Sequence, residues 1–166
     1  MMIYRYRIIL DTKDDVFRDI EIRSNSSLEE FHYSIANAFG FGGKEMASFY
    51  FADEKWLQGE EIPLVNIEEN KESMKDKSLK SLIKANNLKL IYVYDFFSLW
   101  TFFVEFIKIV DENSKYEYPC LSFSKGEVPE VAPIKKFKFD NLDITSDEKE
   151  DQNFNKDHDL TDDYYI

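Results

Sequence analysis

Hydrophobic and polar positions change period several times along this chain, and each change marks an expected element. Residues 3–10 and 16–23 are rich in β-branched and aromatic side chains, with the polar run Asp11-Thr12-Lys13-Asp14-Asp15 between them, which predicts a β-hairpin. In its second strand Val16, Arg18, Ile20 and Ile22 share one face, and Phe17, Asp19, Glu21 and Arg23 share the other. The period then becomes helical: Leu28, Phe31, His32, Ile35, Ala38 and Phe39 recur three and four apart. Ser26 or Ser27 can cap this helix, because Ser26-Ser27-Leu28-Glu29 and Ser27-Leu28-Glu29-Glu30 both fit the reciprocal capping box. Gly40 stands where a left-handed closing residue is needed. A helix over 28–39 with its apolar stripe on a sheet is expected.

Residues 48–52 predict a third strand. From 53 to 77 the chain is polar and acidic, with Trp56, Leu57, Ile62, Leu64, Val65 and Ile67 as isolated anchors, which predicts an irregular excursion. A short helix over 79–85, capped by Asp76 or Ser78, ends at Asn86-Asn87. Residues 88–96 and 100–110 predict a second strand pair, apolar on both faces as in a central, covered strand. Their turn, Phe97-Ser98-Leu99, is apolar for a tip, and exposed aromatics at a turn point to docking. Three prolines favour extended backbone beyond residue 118, and residues 134–139 are expected to add an edge strand. Each apolar face must be buried against another element. The expected architecture is therefore a single-domain α+β fold, with a mainly antiparallel or mixed β-sheet of two hairpins. A main helix packs on one face, and a short second helix completes it. Residues 1–139 form the expected domain, and 140–166 an acidic, flexible C-terminal tail.

Charge sharpens the boundary. The chain carries −12 overall. Ten carboxylates and two lysines lie in residues 140–166, so the tail holds −8 and the remaining 139 residues only −4. A phosphate backbone would be repelled by such a tail, and 17 Lys against 4 Arg is a poor supply for bidentate base readout. Nucleic acid is disfavoured as a partner. No apolar run reaches the ~20 residues of a spanning helix, and Met1-Met2-Ile3-Tyr4-Arg5-Tyr6-Arg7 lacks the apolar stretch of a secretory signal. Cys120 is the single cysteine, so a reducing cytoplasm is the expected compartment.

Candidate chemistry is sparse. His32 is the one histidine outside the tail, and acid–base work would need a carboxylate beside it. Asp95 supplies one only if the fold brings the two together. A core histidine satisfied by a neighbour is the plainer reading. Cys120 lacks a basic neighbour that would activate it as a nucleophile. One cysteine and two histidines do not build a closed zinc site, and neither metal nor cofactor is expected. Gly40-Phe41-Gly42-Gly43-Lys44 follows a helix rather than a strand and has Glu45 where a phosphate loop has Ser or Thr.

The order of motifs resembles the plasmid pRiA4b ORF-3-like family, whose members are also described as transposon passenger-like proteins. The resemblance rests on Tyr4-Arg5-Tyr6-Arg7-Ile8, Val16-Phe17-Arg18, Leu28-Glu29-Glu30-Phe31-His32 and Ala36-Asn37-Ala38-Phe39-Gly40-Phe41. It continues in Tyr92-Val93-Tyr94-Asp95-Phe96 with Trp100, and in Tyr118-Pro119-Cys120-Leu121. It implies a compact α+β domain without an assigned activity. This chain is a divergent member. Where the family pattern has Gly-Asp-Asp-Trp and then Glu-His, Phe97-Ser98-Leu99-Trp100 and Thr101-Phe102 stand here. The leading expectation is a non-catalytic, cytoplasmic interaction module, with Phe96, Phe97, Leu99 and Trp100 contacting an unknown protein partner. An enzyme using His32 and Asp95, or an accessory nucleic-acid binder linked to mobile elements, are the alternatives.

Overall fold

Seven strands form one antiparallel sheet in the computed structural model, which describes residues 1–135. They are β1 (Ile3–Leu10), β2 (Phe17–Arg23), β3 (Ala47–Ala52), β4 (Gln58–Pro63), β5 (Lys89–Tyr94), β6 (Trp100–Val110) and β7 (Cys120–Lys125). Their order across the sheet is β4-β3-β5-β6-β1-β2-β7. Both expected hairpins lie in that sheet, joined where β6 pairs with β1. Every pairing is antiparallel, so the sheet is not mixed.

Helix α1 (Leu28–Ala38) begins at Ser27. The Ser27 hydroxyl accepts from the Glu30 amide at 3.1 Å and the Glu30 carboxylate accepts from the Ser27 amide at 2.8 Å, so the second of the two possible boxes forms. Gly40 takes φ +79° just beyond the helix. Phe31 and Ile35 are fully buried. Phe31 packs on Tyr6 of β1 (ring centroids 4.8 Å apart) and on Phe49 of β3 (5.8 Å), and Phe39 packs on Phe102 of β6 (4.6 Å). The helix thus covers the face formed by Tyr4, Tyr6, Ile8, Leu90, Tyr92, Phe102 and Val104, all of them buried. Helix α2 (Leu79–Lys84), capped by Ser78, is tied to the start of α1 by Leu28 N–H donating to Lys77 and Leu79 N–H donating to Ser26.

The opposite face is polar and aromatic. Arg7 makes a two-pronged contact with Asp19 at 2.8 and 2.9 Å and stacks over Phe17, while Arg5 donates to Glu21. Trp56 packs against Phe103, with the Lys89 ammonium over its ring.

Two elements correct the sequence reading. The excursion over 53–77 contains β4 and a single 3-10 turn at Met74–Asp76. Asp53 organises the turn into β4, its Oδ1 accepting from the amides of Lys55 and Leu57, while Trp56 sits at φ 63°. Of the expected anchors there, Ile62 is buried, but Leu57, Val65 and Ile67 are exposed, and Met74 in the 3-10 turn is a further buried apolar residue. The edge strand beside β2 is β7, at residues 120–125, where the sequence reading placed only extended backbone. Of the edge strand expected over 134–139, Ile134 and Lys135 are not in a strand, and the rest lies outside the described residues, as does the acidic tail. Met1–Ile134 forms one compact unit.

Candidate functional site

His32 lies on the buried stripe of α1 and is fully enclosed. Its Nδ1 is 2.6 Å from the Tyr92 hydroxyl on β5. The rings of Tyr33, Tyr92 and Tyr94 surround it at 4.6, 5.8 and 6.3 Å. Burial pushes its pKa down to about 4, because a charged imidazolium there would be stripped of water. His32 is therefore neutral at pH 7. Its Nε2, like the hydroxyl of buried Tyr6, has no hydrogen-bond partner in the structure.

Asp95 belongs to a different neighbourhood. It is the first residue of the β5–β6 turn, with φ 59°. Its Oδ1 accepts from the Phe97 amide at 3.1 Å, its carbonyl accepts from Leu99 N–H at 2.6 Å, and its own N–H donates to Met46. The polar partner of His32 is Tyr92 and that of Asp95 is the turn backbone, so the structure does not bring the pair together.

The turn is built to hold its shape. Leu99 closes it at φ 55°, a left-handed conformation uncommon for a bulky side chain. Strain of this kind costs on the order of 1–3 kcal/mol and persists only when the surroundings enforce it. Here the Thr101 hydroxyl donates to the Leu99 carbonyl, and Asp11 N–H donates to Thr101. Between the two strained residues Phe96 is 44% exposed and Phe97 99% exposed. Leu99 is half-buried. Trp100, the fourth residue of the expected patch, is only 7% exposed. It packs on Phe41 at 4.9 Å, in line with buried Phe102 and Val104, and so belongs to the core. Met46, whose carbonyl accepts from Asp95 N–H, is 42% exposed.

The remaining motif residues have structural work. Arg18 lies on the core side, donating to the carbonyls of Phe17, Lys125 and Ala38, with its guanidinium over Phe39. It fastens the end of α1 to β2 and β7. Cys120 is half-buried at a shallow cavity of about 180 Å³ between α1 and β7, lined also by Ile20, Ser34, Ala38 and Leu121. Burial raises its pKa, with Glu21 adding to the shift, which is the reverse of an activated nucleophile. Among the described residues no group of three or more His, Cys, Asp or Glu is placed to hold a metal ion. No helix among them is long and apolar enough to cross a membrane.

These placements put the quoted motifs on or at the ends of β1, β2, α1, β5, β6 and β7, and the model of the plasmid pRiA4b ORF-3-like protein family matches residues 2–163. The chain belongs to the plasmid pRiA4b ORF-3-like family. No curated protein matches it. Among solved structures, a protein of unknown function from Methanosarcina mazei Go1 is similar, with a TM-score of 0.66 and 21% identity. The similarity covers 78% of this chain and 73% of that one, and at this identity it is a likeness of fold. Within the pRiA4b ORF-3-like frame, the signal that Trp100 is a core residue was present in the sequence. It shares its parity with Phe102 and Val104, whereas Phe97 falls between strands.

Proposed function

We propose that this domain is a non-catalytic interaction module that docks on a partner protein through the Phe96–Phe97 tip. The observation that carries the reading is Phe97, 99% exposed on a turn with left-handed residues at both ends. An aromatic ring displayed on a fixed turn gives up little conformational freedom on binding, and buried aromatic anchors dominate interface energies. The resemblance to the family implies a glycine and an acidic pair at positions 97–99, and acidic side chains tolerate left-handed backbone better than leucine. With Phe97-Ser98-Leu99 in their place, the crest of this turn is apolar. The neutral, enclosed His32 supports a structural rather than a catalytic role, and the free thiol of Cys120 suits a reducing cytoplasm.

Affinity capture from the native host tests the reading, with the full chain and its Phe97→Ser variant as parallel baits. A protein retained by the wild type and lost with the variant is expected, with the two thermal midpoints agreeing within about 2 °C. Equal recovery of the same proteins by both baits would contradict it.

A further inference from the structure

β4 is one edge of the sheet and pairs only with β3. Leu64 N–H donates to the Ala47 carbonyl at 3.0 Å, and the register sets Ser48 opposite Pro63, Phe49 opposite Ile62 and Tyr50 opposite Glu61. Inward and outward backbone groups alternate along an antiparallel strand. Leu64 and Ile62 therefore turn theirs towards β3, and Glu61 and Pro63 turn theirs away. The free edge offers the N–H of Glu61 and the carbonyls of Glu61 and Pro63, proline having no N–H. A cleft of about 610 Å³ runs beside it, lined by residues 60–63 in succession and, across from them, by the loop that follows β4. Successive side chains of a strand point to opposite faces, so a cleft that touches four in a row follows the strand's edge. No backbone hydrogen bond joins loop and edge among the described residues. In the loop wall the Asn66 Oδ1 accepts from Glu68 N–H, and its amide nitrogen is enclosed without a partner. The lining holds four carboxylates and two amines. Both amines are ion-paired, Lys71 with Glu68 and Lys77 with Glu72. Glu60 and Glu61 are exposed and have no ion-pair partner among the described residues; Glu61 accepts from the neutral Ser48 hydroxyl at 2.6 Å. The adjoining cavity adds Glu29 and Asp76 against Lys75.

From this arrangement we infer that the cleft receives an extended basic peptide, which joins the sheet as a further strand beside β4 with lysine or arginine facing Glu60 and Glu61. One peptide residue exchanges both backbone bonds with Glu61, and the residue two away donates to the Pro63 carbonyl. Asn66, in the opposite wall, holds the donor that Pro63 lacks. Complementary charge steers encounter and suppresses wrong partners. A second copy paired edge to edge would set Glu61 against like charge. The site is separate from the β5–β6 tip and does not rest on its docking role.

The test is selection of a phage-displayed random peptide library on the full chain, with the site of binding read by amide hydrogen exchange. The expected winners carry Lys or Arg at alternate positions of a proline-free stretch. As synthetic peptides they slow exchange of the Glu61 amide at least about tenfold and bind Phe97→Ser as tightly as the wild type. The E60Q/E61Q double variant, which keeps an acceptor for Ser48, weakens them about tenfold and leaves the thermal midpoint within about 2 °C. Winners that protect Glu61 without basic residues, or that bind the double variant equally, would overturn the basic chemistry. Winners that leave the Glu61 amide unchanged, or none at all, would overturn the site; if such winners need Phe97, the tip reading stands while this one falls. Glu61 protection that rises with the concentration of the chain alone would assign the edge to a second copy and overturn the inference as well.

Discussion

His32 shows how little a residue's chemical repertoire says until its surroundings are known. The imidazole that a sequence offers as an acid–base group is enclosed among tyrosines, hydrogen-bonded to Tyr92 and held neutral. Its folded pKa of about 4 lies below the ordinary 6.5. Between those values the unfolded chain binds a proton that the folded chain refuses, so stability falls as pH drops from about 6.5 towards about 4. The loss from this group should be on the order of 2 kcal/mol. His32→Phe removes that contribution but leaves the Tyr92 hydroxyl without its partner, which costs about 1–3 kcal/mol at pH 7. Urea unfolding of both proteins between pH 7 and pH 4 should therefore give stability curves that approach each other on the acid side. Parallel curves would mean that His32 carries its proton in the folded state. Exposure separates the aromatics in the same way: Trp100 and Phe97 lie three residues apart, one in the core and one in solvent.

At the scale of elements, legibility followed how much of a strand or helix is half-buried. β2 alternates cleanly in sequence because Ile20 and Ile22 face the core while Asp19 and Glu21 on the other face, buried as well, are paired with Arg7 and Arg5, and α1 announces itself through its capping box and stripe. β4 gave no such signal: it is an edge strand whose one buried residue is Ile62, and Gly59, Glu60, Glu61 and Pro63 read as loop. β7 was hidden by a bulge. Asp19 pairs with Phe123 and Ile20 with Leu121, so Ser122 is an extra residue, and its hydroxyl donates to the Asp19 carbonyl. That insertion sends Leu121 towards Ile20 and α1 and Phe123 onto Phe17, so neighbours two apart face opposite ways. The end of β7 depends on Gly126, at φ +77°, where an added Cβ would collide with the Asp15 carbonyl oxygen. Gly126→Ala should lower stability by about 2–4 kcal/mol through backbone strain and overlap, read as a shifted denaturation midpoint. A change within about 0.5 kcal/mol would show that the β1–β2 turn yields freely.

Across the whole molecule the physical argument is one of division. Among the described residues, apolar burial and strand pairing lie in the unit Met1–Ile134, and ten of the 33 carboxylates fall after residue 139. We propose that residues 1–139 fold on their own. A chain ending at 139 should keep its circular dichroism spectrum and lose no more than about 4 °C in thermal midpoint; failure to fold would place part of the core beyond that boundary. In the proposed function the seven-stranded sheet is the mount and the β5–β6 turn its contact point. Photocrosslinking in the native host tests that claim most directly, with Phe97 replaced by benzoylphenylalanine and exposed Tyr116 as the control position. One discrete protein adduct from position 97 and none from position 116 is the predicted result. Adducts of equal yield at both positions, or none at 97, would contradict it.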